Sequence, residues 1–271
     1  MSSGEFPVDP RDFAAYYAFA PAALAIRECA RLRAVRKIEL PEPILDVGCG
    51  DGVFARLAYP EKQVWGIDIN PTEVRRAQAT ASYSTLLCGN ICEVALPPSF
   101  FGSAIANCSL EHVPDVEKAI TNMRRSMQRD APMALIVPAP DWSRQLATAE
   151  TLRHVGLGRL ADAYGDALDR IFAHVHLLDV DGWTRVLERC GLSRVEAIPI
   201  VDRATSWAFD VLLYPSAVGW LTKRITGRWV VAPGLRAVSE PIARAMVDAV
   251  GALAPAGERP GEYLLVARVD G

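Results

Sequence analysis

ILDVGCGDGVFA, residues 44–55, is the stretch that decides the fold. Its first part, Ile44–Val47, is a short, largely apolar run bounded by glycines, which is typical of a buried parallel strand. Glycine then stands at every second position, where the missing Cβ lets the backbone approach a ligand closely. A helix is predicted from Val53. A glycine turn at the carboxyl end of a first strand indicates a small-molecule site at the edge of an open α/β sheet.

A second strand is predicted over Val64–Asp68, and it ends in a carboxylate. A carboxylate at this point can accept hydrogen bonds from both hydroxyls of a ribose. The distance from Gly52 to Asp68 is shorter than the roughly 20 residues of the dinucleotide fingerprint. The glycine spacing is also G-x-G-x-G and not G-x-G-x-x-G. Both departures argue against a nicotinamide cofactor.

Three segments carry a resemblance to a known family. Leu45–Gly52, which reads LDVGCGDG, resembles the first motif of the class I S-adenosylmethionine-dependent methyltransferases. Asp68 in the stretch GIDIN matches the second acidic position of that family. Asn107–Asp115, NCSLEHVPD, resembles the segment after the fourth strand, in which Glu111 is expected to fix the loop. The resemblance implies a small-molecule methyltransferase that uses S-adenosyl-L-methionine as its cofactor.

The same resemblance implies roles for individual residues. Asp46 would orient the glycine turn or meet the ammonium group of the cofactor, and Asp68 would hold the ribose. Ile69 and Ile91 would enclose the adenine. Asn90 stands where the family more often has aspartate; its side-chain oxygen can accept from the adenine amine, or it is simply a turn residue. The complete set of expected cofactor contacts is Asp46, Gly48, Gly50, Gly52, Asp68, Ile69, Asn90, Ile91, Asn107 and Ser109.

A general base is needed if the methyl acceptor is a hydroxyl or an amine that must lose a proton. His112 lies after the fourth strand, near the expected methyl position. His174 and His176 are two residues apart and share a face if the backbone is extended. We consider all three as candidate bases, although structural hydrogen bonding is the more frequent role of each. As a metal pair with Asp179 or Asp181, His174 and His176 lack a convincingly spaced third ligand, so no metal site is expected.

Strands that alternate with helices predict an α/β fold. We expect a Rossmann-like sheet of seven strands, mostly parallel with an antiparallel last strand, and helices on both faces. After the first two strands, further strands are predicted at 85–88, 103–108, 133–137, 195–201 and 263–269. Helices are predicted at 11–36, at 53–58, from Pro71, at 115–128 and at 180–190.

Two long insertions, 141–172 and 202–261, are additional to the strands and helices of this fold, and we interpret both as helical caps over the substrate. Connections of this length usually hold functional lids or additional helices. The predicted organisation is an N-terminal helical segment (1–40), a cofactor-binding core (41–140, 173–201 and 262–271) and cap or lid insertions (141–172 and 202–261).

The second insertion contains an aromatic cluster that includes Trp207, Trp220 and Trp229. Lys223, Arg224 and Arg228 accompany this cluster, so it could also contact a membrane surface or form a dimer face. Packing within the cap is the more frequent role of such apolar residues.

The composition is that of an ordinary soluble globular protein: 271 residues, 51% hydrophobic, 23% charged, with a net charge of −3. This charge provides no basic field for nucleic acid. No stretch reaches the roughly 18 uncharged apolar residues of a membrane-spanning helix, and the first ten residues lack the apolar core of a signal peptide. The six cysteines contain no C-x-x-C pair, which favours reduced thiols and a cytoplasmic location.

These observations predict an S-adenosylmethionine-dependent methyltransferase that acts on a small, partly hydrophobic molecule. An oxygen acceptor is the first guess, on family frequency alone. The alternatives are an NAD-dependent oxidoreductase and a non-catalytic protein that binds a cofactor or associates with a membrane. The oligomeric state stays open.

Overall fold

The computed structural model describes residues 9–226, 229–230, 233–255, 257 and 259–270. The chain divides into two compact units. The first, here named the sheet unit, comprises Ala34–Pro140, Ala173–Pro199 and Glu262–Gly271. The second, the helical unit, comprises Met1–Arg33, Asp141–Phe172 and Ile200–Gly261.

One mixed sheet accounts for the strands among the described residues. These are β1 (Ile44–Val47), β2 (Val64–Asp68), β3 (Thr85–Cys88), β4 (Ser103–Asn107), β5 (Pro132–Pro138), β6 (Leu192–Val201) and β7 (Glu262–Val269). Their order across the sheet is β3-β2-β1-β4-β5-β7-β6. The pairs from β3 to β5 are parallel, whereas β7 runs antiparallel to β5. The predicted seven-stranded α/β fold, with its antiparallel last strand, is confirmed.

Helices occupy the connections between these strands. They are α1 (Pro10–Tyr17), α2 (Ala22–Val35), α3 (Val53–Ala58), α4 (Pro71–Thr80), α5 (Val116–Ser126), α6 (Ala147–His154), α7 (Gly158–Ile171), α8 (Val180–Arg189), α9 (Arg203–Thr226) and α10 (Pro233–Leu253). Short 3-10 turns lie at Leu110–His112 and Trp142–Gln145.

Local capping explains where several helices begin. The Asn70 side chain accepts a hydrogen bond from the Thr72 amide at 2.9 Å, and the predicted start of a helix at Pro71 is confirmed. Asp115 and Asp179 accept in the same way at the starts of α5 and α8. Helix α8 is followed by Gly191 at a φ of +79°, a backbone angle that favours glycine.

The core of the sheet unit is apolar on both sides of the central strands. All residues of β1 and of β5 are buried, as expected for parallel strands covered by helices. Helix α5 buries Ile120 and Met123 in this core, and α8 buries Trp183 and Leu187. This packing holds the carboxyl ends of β1, β2 and β4 in fixed positions.

The predicted continuous helix over residues 11–36 is wrong. The chain forms α1 and α2, which are separated by residues 18–21. Pro21 is the physical reason, because proline removes a backbone donor within a helix and restricts the residue before it.

The helical unit has a core of its own around Arg27. The guanidinium of Arg27 lies 5.1 Å from the ring centre of Trp142 and 4.5 Å from that of Phe209. A buried cation between two aromatic faces is a stabilising arrangement. Phe209, which lies two residues after Trp207 in the second insertion, is therefore a core residue of this unit.

The side chains of Trp220, Lys223 and Arg224 and the whole of Arg228 lie outside the described residues, so membrane contact there stays a prediction. Among the helices that are described, none combines the length and apolarity needed to cross a membrane.

Candidate functional site

The glycine turn after β1 is pinned to the neighbouring strand. The amides of Gly48 and Cys49 both donate to the carbonyl oxygen of Ile67, at 2.8 and 3.0 Å. Gly48 and Gly50 have φ angles of +75° and +54°, in the left-handed region that L-residues disfavour. The turn is therefore a rigid feature at the carboxyl end of the sheet.

Gly48 and Gly50 have different surroundings. A Cβ on Gly48 would fall far inside van der Waals contact with the Cβ of Ser109. Ser109 is held in place there, because its hydroxyl donates to the carbonyl oxygen of Val47 at 2.7 Å. A Cβ on Gly50 would meet no atom within 4 Å. The backbone at Gly50 thus borders open space.

Asp68 connects the turn to the end of β2. One carboxylate oxygen accepts from the Gly50 amide at 2.9 Å, and the other accepts from the Asn70 amide at 2.8 Å. A carboxylate offers about four acceptor positions in total. Asp68 can therefore hold the turn and still accept hydrogen bonds from a ligand.

Beneath the turn lies a buried pair that sequence reasoning missed. The Tyr83 hydroxyl donates to Asp46 at 2.8 Å and to the carbonyl oxygen of Cys49 at 3.3 Å. Asp46 itself is only 2% exposed. No sequence signal marks Tyr83, because it stands 37 residues from its partner in an irregular segment.

The electrostatics of this pair follow from burial. Burial first, and then the charge of Asp46, raise the pKa of Tyr83 well above its ordinary value, so the phenol stays a donor. Burial, followed by the carboxylates of Asp46 and Asp68, likewise raises the pKa of Cys49. The Cys49 thiol is therefore protonated at neutral pH and is no nucleophile.

A cavity of about 510 Å³ opens above the turn, within the sheet unit. Its walls come from the ends of β1 and β2 and from the segments after β3 and β4: Val47, Gly48, Ile67, Asp68, Ile69, Gly89, Asn90, Ile91, Cys92, Glu93, Cys108, Ser109, His112, Val113, Pro114, Asp115 and Lys118.

The structure distributes the predicted cofactor residues unevenly around this cavity. Those that line it are Gly48, Asp68, Ile69, Asn90, Ile91 and Ser109. Asp46, Gly50, Gly52 and Asn107 are not among its lining residues. Ile69 is 70% exposed, an unusual state for a large apolar side chain, and it stands at the cavity rim. Asp115 and Lys118 were not predicted; they lie where α5 begins, at the same edge of the sheet.

The Asn90 side chain already has one partner. Its oxygen accepts from the Cys92 amide at 3.0 Å, which is the geometry of a turn residue. An amide oxygen has a second lone pair, so contact with an adenine amine is still compatible with this bond.

The three candidate histidines occupy different positions. His112 lines the cavity, and its Nδ1 lies 3.1 Å from the carbonyl oxygen of Ala173. The ring of His174 stacks on that of His112, with centroids 5.3 Å apart. The Nε2 of His176 lies 3.0 Å from the carbonyl oxygen of Val113. The structure thus brings His112 and His174 together and ties His176 to the backbone.

Glu111 belongs to the same group of side chains. It is 1% exposed, and its Oε1 lies 3.7 Å from the Nε2 of His112. Its backbone oxygen accepts from the amides of Val175 and His176, at 2.9 and 3.0 Å. No spacing rule could predict the meeting of Glu111 and His174, because it depends on the tertiary fold.

The central part of the chain matches a known protein family. Residues 45–135 match the family described as "Methyltransferase domain". An uncharacterized methyltransferase of Mycobacterium tuberculosis is 35% identical over 83 residues, which is 30% of this chain and 42% of the relative. The match thus spans less than half of that relative. The 27-O-demethylrifamycin SV methyltransferase of Amycolatopsis mediterranei is 27% identical over 208 residues, 68% of this chain and 74% of the relative.

The fold is also found in solved structures. The S-adenosylmethionine-dependent methyltransferase of Thermotoga maritima, described as a possible histamine N-methyltransferase, superposes with a TM-score of 0.58. The superposition covers 92% of this chain and 91% of that one, at 12% identity. At this identity the likeness establishes a common fold.

Proposed function

We propose that the protein is a class I S-adenosylmethionine-dependent methyltransferase, since residues 45–135 match the methyltransferase-domain family, and that it transfers a methyl group from S-adenosylmethionine to an oxygen of a small, partly hydrophobic molecule. S-adenosylmethionine is the cofactor of such a domain. The observation that carries the proposal is the cavity above the glycine turn, with Asp68 at its wall.

The residues around the cavity fit an adenosyl cofactor. Its volume of about 510 Å³ lies within the range of small-molecule sites, roughly 300–1,000 Å³. The open space over Gly50 leaves room for a ligand against bare backbone. Asp68 supplies acceptors for ribose hydroxyls, and the apolar Ile69 and Ile91 suit the faces of a purine ring.

In this proposal the chain mainly positions the reactants. When bound, S-adenosylmethionine supplies a methyl group that is already activated by the positive charge on sulfur. The turn would hold the amino-acid end of the cofactor, and the buried pair of Asp46 and Tyr83 would keep the turn in place. Asp68 would fix the ribose, and Asn90 would accept from the adenine amine. Correct orientation alone contributes several kcal/mol to such a bimolecular step.

An acceptor hydroxyl must also lose a proton. Of the three candidate histidines only His112 is among the residues that line the described cavity, and His174 stacks on it. We therefore propose that the acceptor hydroxyl loses its proton at the part of the cavity wall formed by Glu111, His112 and His174. The name of the rifamycin relative refers to an oxygen, at its 27-O position, which supports an oxygen acceptor.

The helical unit contains a cavity of about 450 Å³ of its own, lined in part by Tyr17, Leu212, Trp229 and Arg236. The Arg236 guanidinium lies 4.5 Å from the centre of the Tyr17 ring. Apolar and aromatic walls of this kind suit a partly hydrophobic molecule.

Calorimetric titration with S-adenosylhomocysteine tests the cofactor site. We expect the wild-type protein to bind S-adenosylhomocysteine and not to bind NAD. Asp68→Ala should bind S-adenosylhomocysteine about 1–3 kcal/mol more weakly, because charged hydrogen bonds are lost. Asp162→Ala is the matched control, since that exposed carboxylate of the helical unit pairs with Arg153. Unchanged affinity in Asp68→Ala would show that the ribose is held elsewhere. Failure of the wild-type protein to bind would overturn the proposed function.

A further inference from the structure

Glu111, His112 and His174 form a compact group of potential metal ligands. One ligand atom from each lies within 4.8 Å of the other two. The carboxylate of Glu111 is buried, whereas the two imidazoles are partly accessible. Two imidazoles and one carboxylate are a common donor set for divalent transition metals.

The backbone holds this group together from both sides. The carbonyl oxygen of Glu111 accepts from the amides of Val175 and His176. In the other direction, His112 bonds the carbonyl oxygen of Ala173 at 3.1 Å. The loop after β4 and the segment before α8 are thus joined by hydrogen bonds directly at the ligand residues.

The orientation of His112 is that of a ligand supported by a second partner. Its Nδ1 lies against a backbone carbonyl, which leaves Nε2 directed toward Glu111. Metal-bound histidines commonly use one ring nitrogen for the metal and the other for such a carbonyl.

This ligand set differs from the pair considered from the sequence, which was His174 and His176 with Asp179 or Asp181. Asp179 caps α8 by accepting from the Gly182 amide at 2.7 Å. His176 is held by the carbonyl oxygen of Val113. Neither is available in this arrangement to complete a site with His174, whereas Glu111 and His112 already stand beside it.

We infer that Glu111, His112 and His174 bind one divalent transition-metal ion, of the Zn²⁺ or Mn²⁺ type, at the wall of the cavity. Three protein ligands leave coordination positions open, and His112 lines the cavity. Only the role of the metal in catalysis rests on the proposed function. A hydroxyl acceptor bound there would release its proton to water more readily. The oxygen then forms its bond to the methyl carbon as the carbon–sulfur bond breaks and leaves its electron pair on sulfur.

Metal titration of the intact chain tests this site. After dialysis against a chelator, we expect one equivalent of Zn²⁺ by calorimetry and one of Co²⁺ by its visible absorption. His174→Ala and Glu111→Gln should each weaken metal binding by at least about 100-fold, because loss of a direct ligand costs more than the roughly 10–100-fold that loss of an outer-shell partner costs. His154→Ala is the control, because His154 lies on α6 in the helical unit.

Two results would overturn the inference. One is the absence of stoichiometric metal on the wild-type protein. The other is an equal affinity in His174→Ala and in His154→Ala. Binding of S-adenosylhomocysteine, measured on the same samples, confirms that each variant is folded and tests the proposed function separately. Cofactor binding without metal rejects only the metal site, and metal binding without the cofactor rejects only the proposed function.

Discussion

At the scale of single residues, Gly48 and Gly50 show that the same residue type serves two physical purposes. Both adopt positive φ angles, which costs a non-glycine residue about 1–2 kcal/mol. At Gly48 there is in addition no room for a side chain, because Ser109 lies against the backbone. At Gly50 the space is open, so an added methyl group would contact only a bound ligand.

The two alanine variants should therefore behave differently. We expect Gly48→Ala to unfold at a clearly lower temperature than Gly50→Ala, because Ser109 must move as well. Gly50→Ala should lose only the 1–2 kcal/mol of backbone strain in stability, yet bind S-adenosylhomocysteine much more weakly than the wild-type protein. Thermal unfolding and calorimetry on both variants make the comparison. Wild-type affinity in Gly50→Ala would mean that the cofactor does not approach this part of the turn.

Site residues were predictable where their evidence is local in the sequence. The glycine turn and Asp68 follow from patterns within 25 residues of one another, and the structure places Gly48 and Asp68 at one cavity. Tyr83 and the contact of Glu111 with His174 depend on chain segments that only the folded structure brings together. Their roles toward a cofactor or a metal remain proposals.

At the scale of elements, the helical unit depends on one buried carboxylate. Asp210 on α9 is fully buried and accepts from the Thr148 amide, in the first turn of α6, at 2.7 Å. It also accepts from the hydroxyl of Tyr164 on α7. Burial, and then this bond, raise the pKa of Tyr164, so the phenol remains a donor. The carboxylate on α9 thus links three helices, because α6 and α7 both donate to it.

Asp210→Ala should destabilise the protein by about 3–5 kcal/mol, because two half-buried donors lose an acceptor that is itself fully buried. Urea unfolding, followed by circular dichroism and tryptophan fluorescence, measures this loss. Tyr214→Phe is the control: the Tyr214 side chain is 59% exposed and shares one hydrogen bond with Thr148. Its cost should stay below about 1 kcal/mol. If the two variants unfold at the same urea concentration, the shared-acceptor interpretation is wrong.

Element boundaries were predictable where the local pattern is strong. The predicted strands at 44–47, 64–68 and 85–88 agree with β1, β2 and β3 to the residue. Strand β6 starts at Leu192, earlier than predicted, directly after the turn at Gly191. The break between α1 and α2 was missed because Ala18, Phe19 and Ala20, directly before Pro21, are apolar and continue a helical pattern.

At the scale of the whole molecule, both units are assembled from distant parts of the chain. The clearest case is β7, which is inserted between β5 and β6. It pairs with β5 from Pro132↔Arg268 to Pro138↔Glu262. The sequence predicted the strand and its antiparallel direction, but its place inside the sheet is a property of the topology.

Because β7 is internal to the sheet, a chain that ends at Gly261 should fail to fold cooperatively. It would expose the backbone groups of β5 and leave β6 without its neighbour. It would also lose the fully buried side chains Leu264 and Leu265, each worth about 1.5–3 kcal/mol. Together these losses approach the 5–15 kcal/mol that typically stabilises a domain.

Soluble yield, far-ultraviolet circular dichroism and urea unfolding of this truncated chain measure the effect. A chain that ends at Asp270 keeps all of β7 and serves as the control, and Leu265→Ala should fall between the two, about 2–5 kcal/mol less stable than the control. A cooperative transition in the truncated chain at the control's urea midpoint would show that the first five strands and their helices form a stable core alone. The expected order of stabilities instead means that the sheet is stable only with its last strand in the sequence present, because β7 lies between β5 and β6.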